Sequence, residues 1–312
     1  MSDEAAVELE LEDIQRGVLR PRPSPYAAAY ILIRVDVPAA GRELMGRLSR
    51  VVSCAAGTTG PEREVGVNVA LTYEGLKAMG VPQACLDSFA WEFRQGMAAR
   101  AQALGDVGAS DPSHWEKPLG TGDVHVIIVG LASDAERLAS AMAQAQGEFE
   151  ALPGVTVIWQ QEFVGPEDER EHFGFRDGIC HPSIEGSGVS GSNPLEQPLK
   201  AGEFVLGYPD EMGGLPPMPQ PEILGRNGTY VAFRKLHQRV AAFRRYLKDQ
   251  AADAEEEEQI AAKLMGRWRS GAPLALAPTR DDETLGADQS RNNAFLYRDD
   301  PTGYVTPRGS HC

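Results

Sequence analysis

Cysteine is scarce and poorly placed for chemistry. The 312 residues hold four, Cys54, Cys85, Cys180 and Cys312, and no two share the short spacing of a zinc ligand set or a redox motif. Scattered thiols of this kind suit a reduced, cytoplasmic setting, and a zinc site is not expected. Apolar runs of spanning length are also missing, so no membrane-spanning helix is expected. The first dozen residues, Met1 to Glu12, are acidic rather than basic and then apolar, so no standard secretory signal is expected. Positive charge is in deficit: 30 Lys and Arg stand against 45 Asp and Glu, for a net charge of −15. That balance argues against nucleic acid, whose phosphates select basic surfaces, and against anionic membranes, while favouring solubility. Histidine is limited to six positions, which confines imidazole chemistry to a few candidates.

What is present is a globular composition, with 42% apolar and 24% charged residues. The length allows one large domain or two ordinary ones. In the first half, residues 28–37, 65–71, 124–131 and 155–163 have the β-rich composition or alternation of strands. Residues 41–53 and 135–148 have helical spacing. Between the two central strands runs a long excursion, 72–122, with short helices and Pro/Gly turns. The order β-α-β-β-α-β predicts a ferredoxin-like α+β unit with an antiparallel sheet over residues 1–165. Composition shifts after Gly165. Residues 203–208 and 228–233 read as strands, and 235–249 and 254–268 as helices. They predict a second ferredoxin-like unit over 166–312, incomplete because the chain ends before its later strands.

The segment Phe173-Gly174-Phe175-Arg176-Asp177-Gly178-Ile179 carries the strongest chemical signal. Glycine at both ends lets the backbone take positive φ or pass close to a ligand, leaving the short Asp177 carboxylate free to face a flat group. A turn aspartate or a helix N-cap uses the same residue types. This G-x-x-D-G pattern resembles the signature of the dye-decolorizing peroxidases. Further blocks in the same order are similar to that family: Asp13-Ile14-Gln15-Arg16-Gly17-Val18-Leu19, residues 67–76, Phe93-Arg94-Gln95-Gly96-Met97 with Arg100 and Leu104-Gly105-Asp106, residues 123–126, and Asp300 through His311.

The resemblance implies a haem peroxidase built from two ferredoxin-like units, with one haem b per chain. Hydrogen peroxide would be its oxidant, and phenols, dyes or other aromatics its one-electron reductants; a homo-oligomer is left open. It implies Asp177 as distal acid–base group and His311 as axial iron ligand. Phe175, Arg176, His181 and Arg234 become candidate haem contacts. Arg176 is equally placed to pair with the acidic run Glu167–Glu171, and Pro307–His311 also has the look of an expression-tag scar. His125 reads as a core residue, and His114, His172 and His237 as surface groups. Trp91, Trp268 and Tyr297 are candidate electron relays for which packing is the default. The family's distal arginine follows the axial histidine and has no counterpart before Cys312. The alternatives are a haem-binding protein without catalysis, an inactive fragment, or a structural module without haem.

Overall fold

A computed structural model describes residues 8–57, 64–166 and 168–311. The first seven residues of the acidic start, together with Glu167 and Cys312, lie outside the described residues. The fold is α+β. The described chain divides into two compact units. One comprises residues up to 165 together with 185–187 and 200–232; the other comprises 166–184, 188–199 and 233 onward. Residues 200–232, assigned from the sequence to the second unit, thus group with the first.

The first unit is built on four strands, β1 (Ala27–Val35), β2 (Val65–Leu71), β3 (Val126–Ala132) and β4 (Val155–Val164), in the order β2-β3-β1-β4 with every pairing antiparallel. This is the ferredoxin-like arrangement the sequence predicts. Central β1 is apolar on both faces. Its odd-numbered residues Ala27, Ala29, Ile31, Ile33 and Val35 join Val126 and Ile128 of β3 in the main core. Two helices close that face: α2 (Pro38–Leu48) contributes Leu44 and Leu48, and α7 (Ala135–Gly147) contributes Leu138 and Met142. Pro38 at the start of α2 loses no helical hydrogen bond, and the Asp134 side chain caps α7 by accepting from Arg137 N at 2.8 Å. A register shift between Leu32 and Ile33 on β4 inserts one extra residue there.

Short helices precede and fill the excursion: α1 (Arg16–Leu19) near the start, then α3 (Tyr73–Ala78), α4 (Gln83–Leu86), α5 (Trp91–Ala99) and α6 (Ala101–Leu104). Gly75 of α3 lies so close to β3 that a Cβ there would stand 2.1 Å from the His125 carbonyl oxygen. The Asp-Ile-Gln motif is structural. Ile14 is fully buried, and the Gln15 amide takes Val69 N at 2.8 Å and gives to Val69 O at 2.9 Å, pairing with the free edge of β2.

Residues 203–208 and 228–233 are not strands. Residues 201–203 form a 3-10 turn, and the two segments are joined where Leu206 N donates to Gly228 O, with Asn227 N donating to Leu206 O just before. What fixes them is polar anchoring to the N-terminal segment. Arg226 pairs with Glu10, and Asn227 Nδ2 donates to Glu10 at 2.8 Å and Asp13 at 2.7 Å. Burial of Val205 and Tyr208 completes the docking.

In the second unit, α8 (Val240–Gln250) packs on α9 (Ala254–Met265), and α10 (Glu283–Ala287) follows. Asp253 caps α9 by accepting from Glu255 N and Glu256 N at 3.0 and 2.9 Å, worth about 1 kcal/mol. Gly266, at φ 85°, stops it in the left-handed conformation. Adjacent residues of α9 serve two small cores: Ala261 meets Phe175 and Leu247, and Ala262 meets Trp268, Leu274 and Leu285. Among the described residues this unit has isolated bridges but no strand.

Candidate active site

Asp177 lies at the end of a clamped turn. Arg170 and Arg176 face each other across an isolated bridge, Glu171 N donates to Phe175 O at 2.8 Å, and Gly174 N donates to Glu171 O at 2.8 Å. Gly174 takes φ 98° and Gly178 φ 71°, so both glycines flanking the carboxylate use backbone space that L-residues avoid. The Glu171 carboxylate fills the inside of the turn. It accepts from Phe173 N at 2.8 Å, Phe175 N at 2.9 Å and Gln238 Nε2 at 2.7 Å. Two arginines close the turn from outside. Arg170 Nη1 donates to Gly174 O at 3.0 Å and Arg269 O at 2.8 Å, and Arg269 Nη1 donates to Phe173 O at 2.6 Å. The Arg269 guanidinium also covers the Phe175 ring, 4.8 Å from its centroid.

On this frame the Asp177 side chain is exposed while its N–H is fixed to Glu169 O at 2.9 Å. Its Oδ1 accepts from Gly178 N at 2.7 Å. The result is an exposed carboxylate on a backbone held at both ends, a group able to accept and return a proton.

The other candidates are placed differently. Phe175 is buried among Leu247, Ala261, Phe173 and Phe243, so its ring serves the core. Arg176 pairs with Glu169 at 3.1 Å and donates to Gly286 O at 3.0 Å. The acidic run is therefore its partner here, and a role toward an anionic ligand needs that pair to open. His181 is half-buried, with its main chain tied to Ser192 by two 2.7 Å bonds. Arg234 is exposed on an extended segment. His311 is exposed and anchored through its backbone, His311 N to Leu264 O at 2.9 Å, beside Ser310 Oγ to Lys263 O at 2.7 Å. One helix thus connects two candidates: α9 packs under Phe175 through Ala261 and holds the 310–311 segment at its C-terminal end.

His125 is structural, accepting Val35 N at 2.9 Å on Nδ1 with Nε2 3.1 Å from Gly122 O. Trp268 is buried, with Nε1 on Ala277 O at 2.7 Å, whereas Trp91 and Tyr297 are half exposed. Sequence reasoning reached Glu169 and Glu171 only as members of the acidic run, and missed Arg170, Arg267, Arg269 and Asn293. The signal was partly there for Glu171, whose spacing to Phe173 and Phe175 places two amides within reach of one carboxylate. No local spacing points to residues about a hundred positions away.

Comparison with known proteins points to one family. Residues 53–157 match the family model described as the DyP dimeric alpha+beta barrel domain. The chain is 31% identical over 318 residues to Peroxidase 2 of Mycetinis scorodonius, covering 99% of this chain and 59% of that protein. It is 32% identical over 240 residues to the dye-decolorizing peroxidase of Mycena epipterygia, covering 74% and 43%. Among solved structures, an ancestral D-type dye decolorizing peroxidase superposes with a TM-score of 0.82 at 26% identity, covering 98% of this chain and 69% of that one. A dye-decolorizing peroxidase in complex with 2,6-dimethoxyphenol does so with 0.81 at 27%, covering 97% and 69%. The chain belongs to the DyP-type peroxidase family. It spans 59% and 43% of the two curated relatives just named.

Proposed function

We propose that this chain contributes the Asp177 face of a haem-dependent peroxidase that consumes hydrogen peroxide and oxidises phenols, dyes and related aromatics in one-electron steps. The observation that carries the reading is the outward-facing Asp177 carboxylate between two positive-φ glycines. Family membership and a relative's structure with 2,6-dimethoxyphenol support it.

The donor set fits haem b better than a protein-ligated ion. Among the described residues no three His, Cys, Asp or Glu converge to hold a bare metal, whereas haem iron needs as little as one donor from the protein, for which an imidazole would serve. His311 would supply that imidazole. Its ring makes no hydrogen bond among the described residues, so the axial role rests on the resemblance and on its accessibility. Arg234, and Arg176 if its pair with Glu169 opens, would be the cations for the haem's carboxylates, with Phe175 and His181 nearby in sequence. When bound, haem supplies the redox equivalents. The protein's own step would be at Asp177, where a carboxylate oxygen takes a proton from one peroxide oxygen and returns it to the other; the O–O bond then breaks, the doubly protonated oxygen leaves as water, and the two electrons needed are the equivalents haem would supply.

Small neutral molecules rather than nucleic acid or anionic membrane are the partners that a net charge of −15 favours. No helix of the described residues is long and apolar enough to cross a membrane. A cytoplasmic setting is supported by the free thiols of Cys54, Cys85 and Cys180. The test is a haem titration of the 312-residue chain followed in the Soret band, with His311→Ala alongside. Saturable one-to-one binding that weakens in the variant supports the reading. Binding that ignores His311 overturns the axial role, and absence of specific binding overturns the haem site on this chain.

A further inference from the structure

Three buried polar side chains lie on the inner side of the Asp177 turn: Arg267, Asn292 and Asn293, at 7%, 0% and 3% exposure. Burying such groups costs free energy unless each finds partners, and here they partner one another and nearby carbonyls, with one bond reaching the turn. Asn293 Nδ2 donates to Ile179 O at 2.8 Å, two residues past Asp177, and to Asn292 Oδ1 at 2.9 Å. Arg267 Nη2 donates to Asn293 Oδ1 at 2.6 Å, while its Nη1 donates to Gly271 O at 3.0 Å and Asn292 O at 2.9 Å. Asn292 Nδ2 donates to Gly286 O at 3.0 Å, the same carbonyl that receives Arg176 Nη1. Both flanks of Asp177 therefore lead to adjacent asparagines, Arg176 through Gly286 to Asn292 and Ile179 directly to Asn293.

We infer that Asn293 is a positioning residue for Asp177, oriented by Arg267. The chain of donors runs one way. A cation donates to the Asn293 carbonyl and polarises the amide, which strengthens its donation to Ile179 O. Aspartate has the same shape but cannot donate to a carbonyl, so the position needs an amide. The catalytic meaning of this inference rests on the proposed role of Asp177, whereas the hold on the turn does not.

The test is Asn293→Asp in the 312-residue chain, which keeps an acceptor for Arg267, removes the donor to Ile179 O and Asn292 Oδ1, and adds a charge that Arg267 faces. Amide hydrogen exchange is read at Arg176 and Asp177, whose N–H groups are bonded to Arg269 O at 3.2 Å and Glu169 O at 2.9 Å, with α9 as the internal control. Exchange at 176 and 177 is expected to rise about tenfold with α9 unchanged, the effect of one lost hydrogen bond. Unchanged exchange at 176 and 177 in a folded variant overturns the inference. Peroxide-dependent dye oxidation by haem-loaded protein is expected to lose kcat with KM unchanged. Loosened amides with full kcat would leave the positioning intact and refute the role of Asp177. If Asn293→Asp does not fold, Asn293→Ser replaces it: loosening of 176 and 177 alone supports the inference, and equal loosening of α9 overturns it.

Discussion

Replacing Glu171 with alanine should release the turn that presents Asp177 and cost much of the second unit's stability. The Glu171 carboxylate accepts three hydrogen bonds, from Phe173 N, Phe175 N and Gln238 Nε2, at 2.7 to 2.9 Å. A hydrogen bond to a charged group contributes about 1.5–3 kcal/mol when its partner would otherwise be left buried and unpaired. The site is half-buried, so water partly re-satisfies the freed donors, and the expected loss is about 2–4 kcal/mol rather than the sum. Glu171→Gln separates charge from shape. Its amide nitrogen cannot accept, so it meets either the Phe175 donor or the other two, and the expected loss is about 1–2 kcal/mol. The assay is urea denaturation followed by tryptophan fluorescence, since Trp268 is buried in this unit. A midpoint for Glu171→Ala within about 0.5 kcal/mol of the parent would show that the carboxylate does not hold the turn.

Two further outcomes follow from the same structure. A Cβ at Gly75 would stand 2.1 Å from the His125 carbonyl, whereas one at Gly130 meets the Met142 sulfur at 2.3 Å, the movable part of a flexible side chain. Gly75→Ala should therefore cost about 2–3 kcal/mol and Gly130→Ala under about 1, and the reverse order in thermal unfolding would contradict the packing described. Asp300 is held below its ordinary value of 3.8 by the backbone N–H groups of Thr306, Tyr304 and Val305, against an opposing effect of burial. A lowered folded value means the contribution is present above the unfolded pKa and lost as pH falls through the folded one. Amide protection at residues 304–306 should persist at pH 5 and fade below 3.8, and Asp300→Asn should remove that pH dependence. Protection in the parent that is unchanged down to pH 2 would refute the assignment.

The first unit was legible because its strands are long, β-rich and separated by turn residues, and each has a partner within the chain. Predicted residues 155–163 became Val155–Val164, and predicted 135–148 became Ala135–Gly147. The second unit was not. Residues 228–233 have strand composition, yet a strand exists only where another pairs with it, and the anchoring of Asn227 to Glu10 and Asp13 decides their path instead. The helix predicted from residue 235 begins at Val240, with 235–239 in neither helix nor strand, and the one predicted to 268 stops at Gly266, a stop that its glycine announces. At the site, the turn that carries Asp177 was readable from its two glycines, both of which take positive φ. Arg176 was not assignable from sequence, because its ion pair with Glu169 depends on a turn whose clamps come from residues 267–293.

The most direct measurement of the central claim is the rate of peroxide-dependent dye oxidation by haem-loaded chain, compared between the parent and Asp177→Asn. The substitution keeps the size of an exposed side chain while removing its charge and its ability to carry the proton. The account predicts a fall in kcat of about 10²–10⁴-fold with haem binding unchanged. A variant that turns over at the parent rate would show that Asp177 is a turn residue and that peroxide chemistry takes place without it.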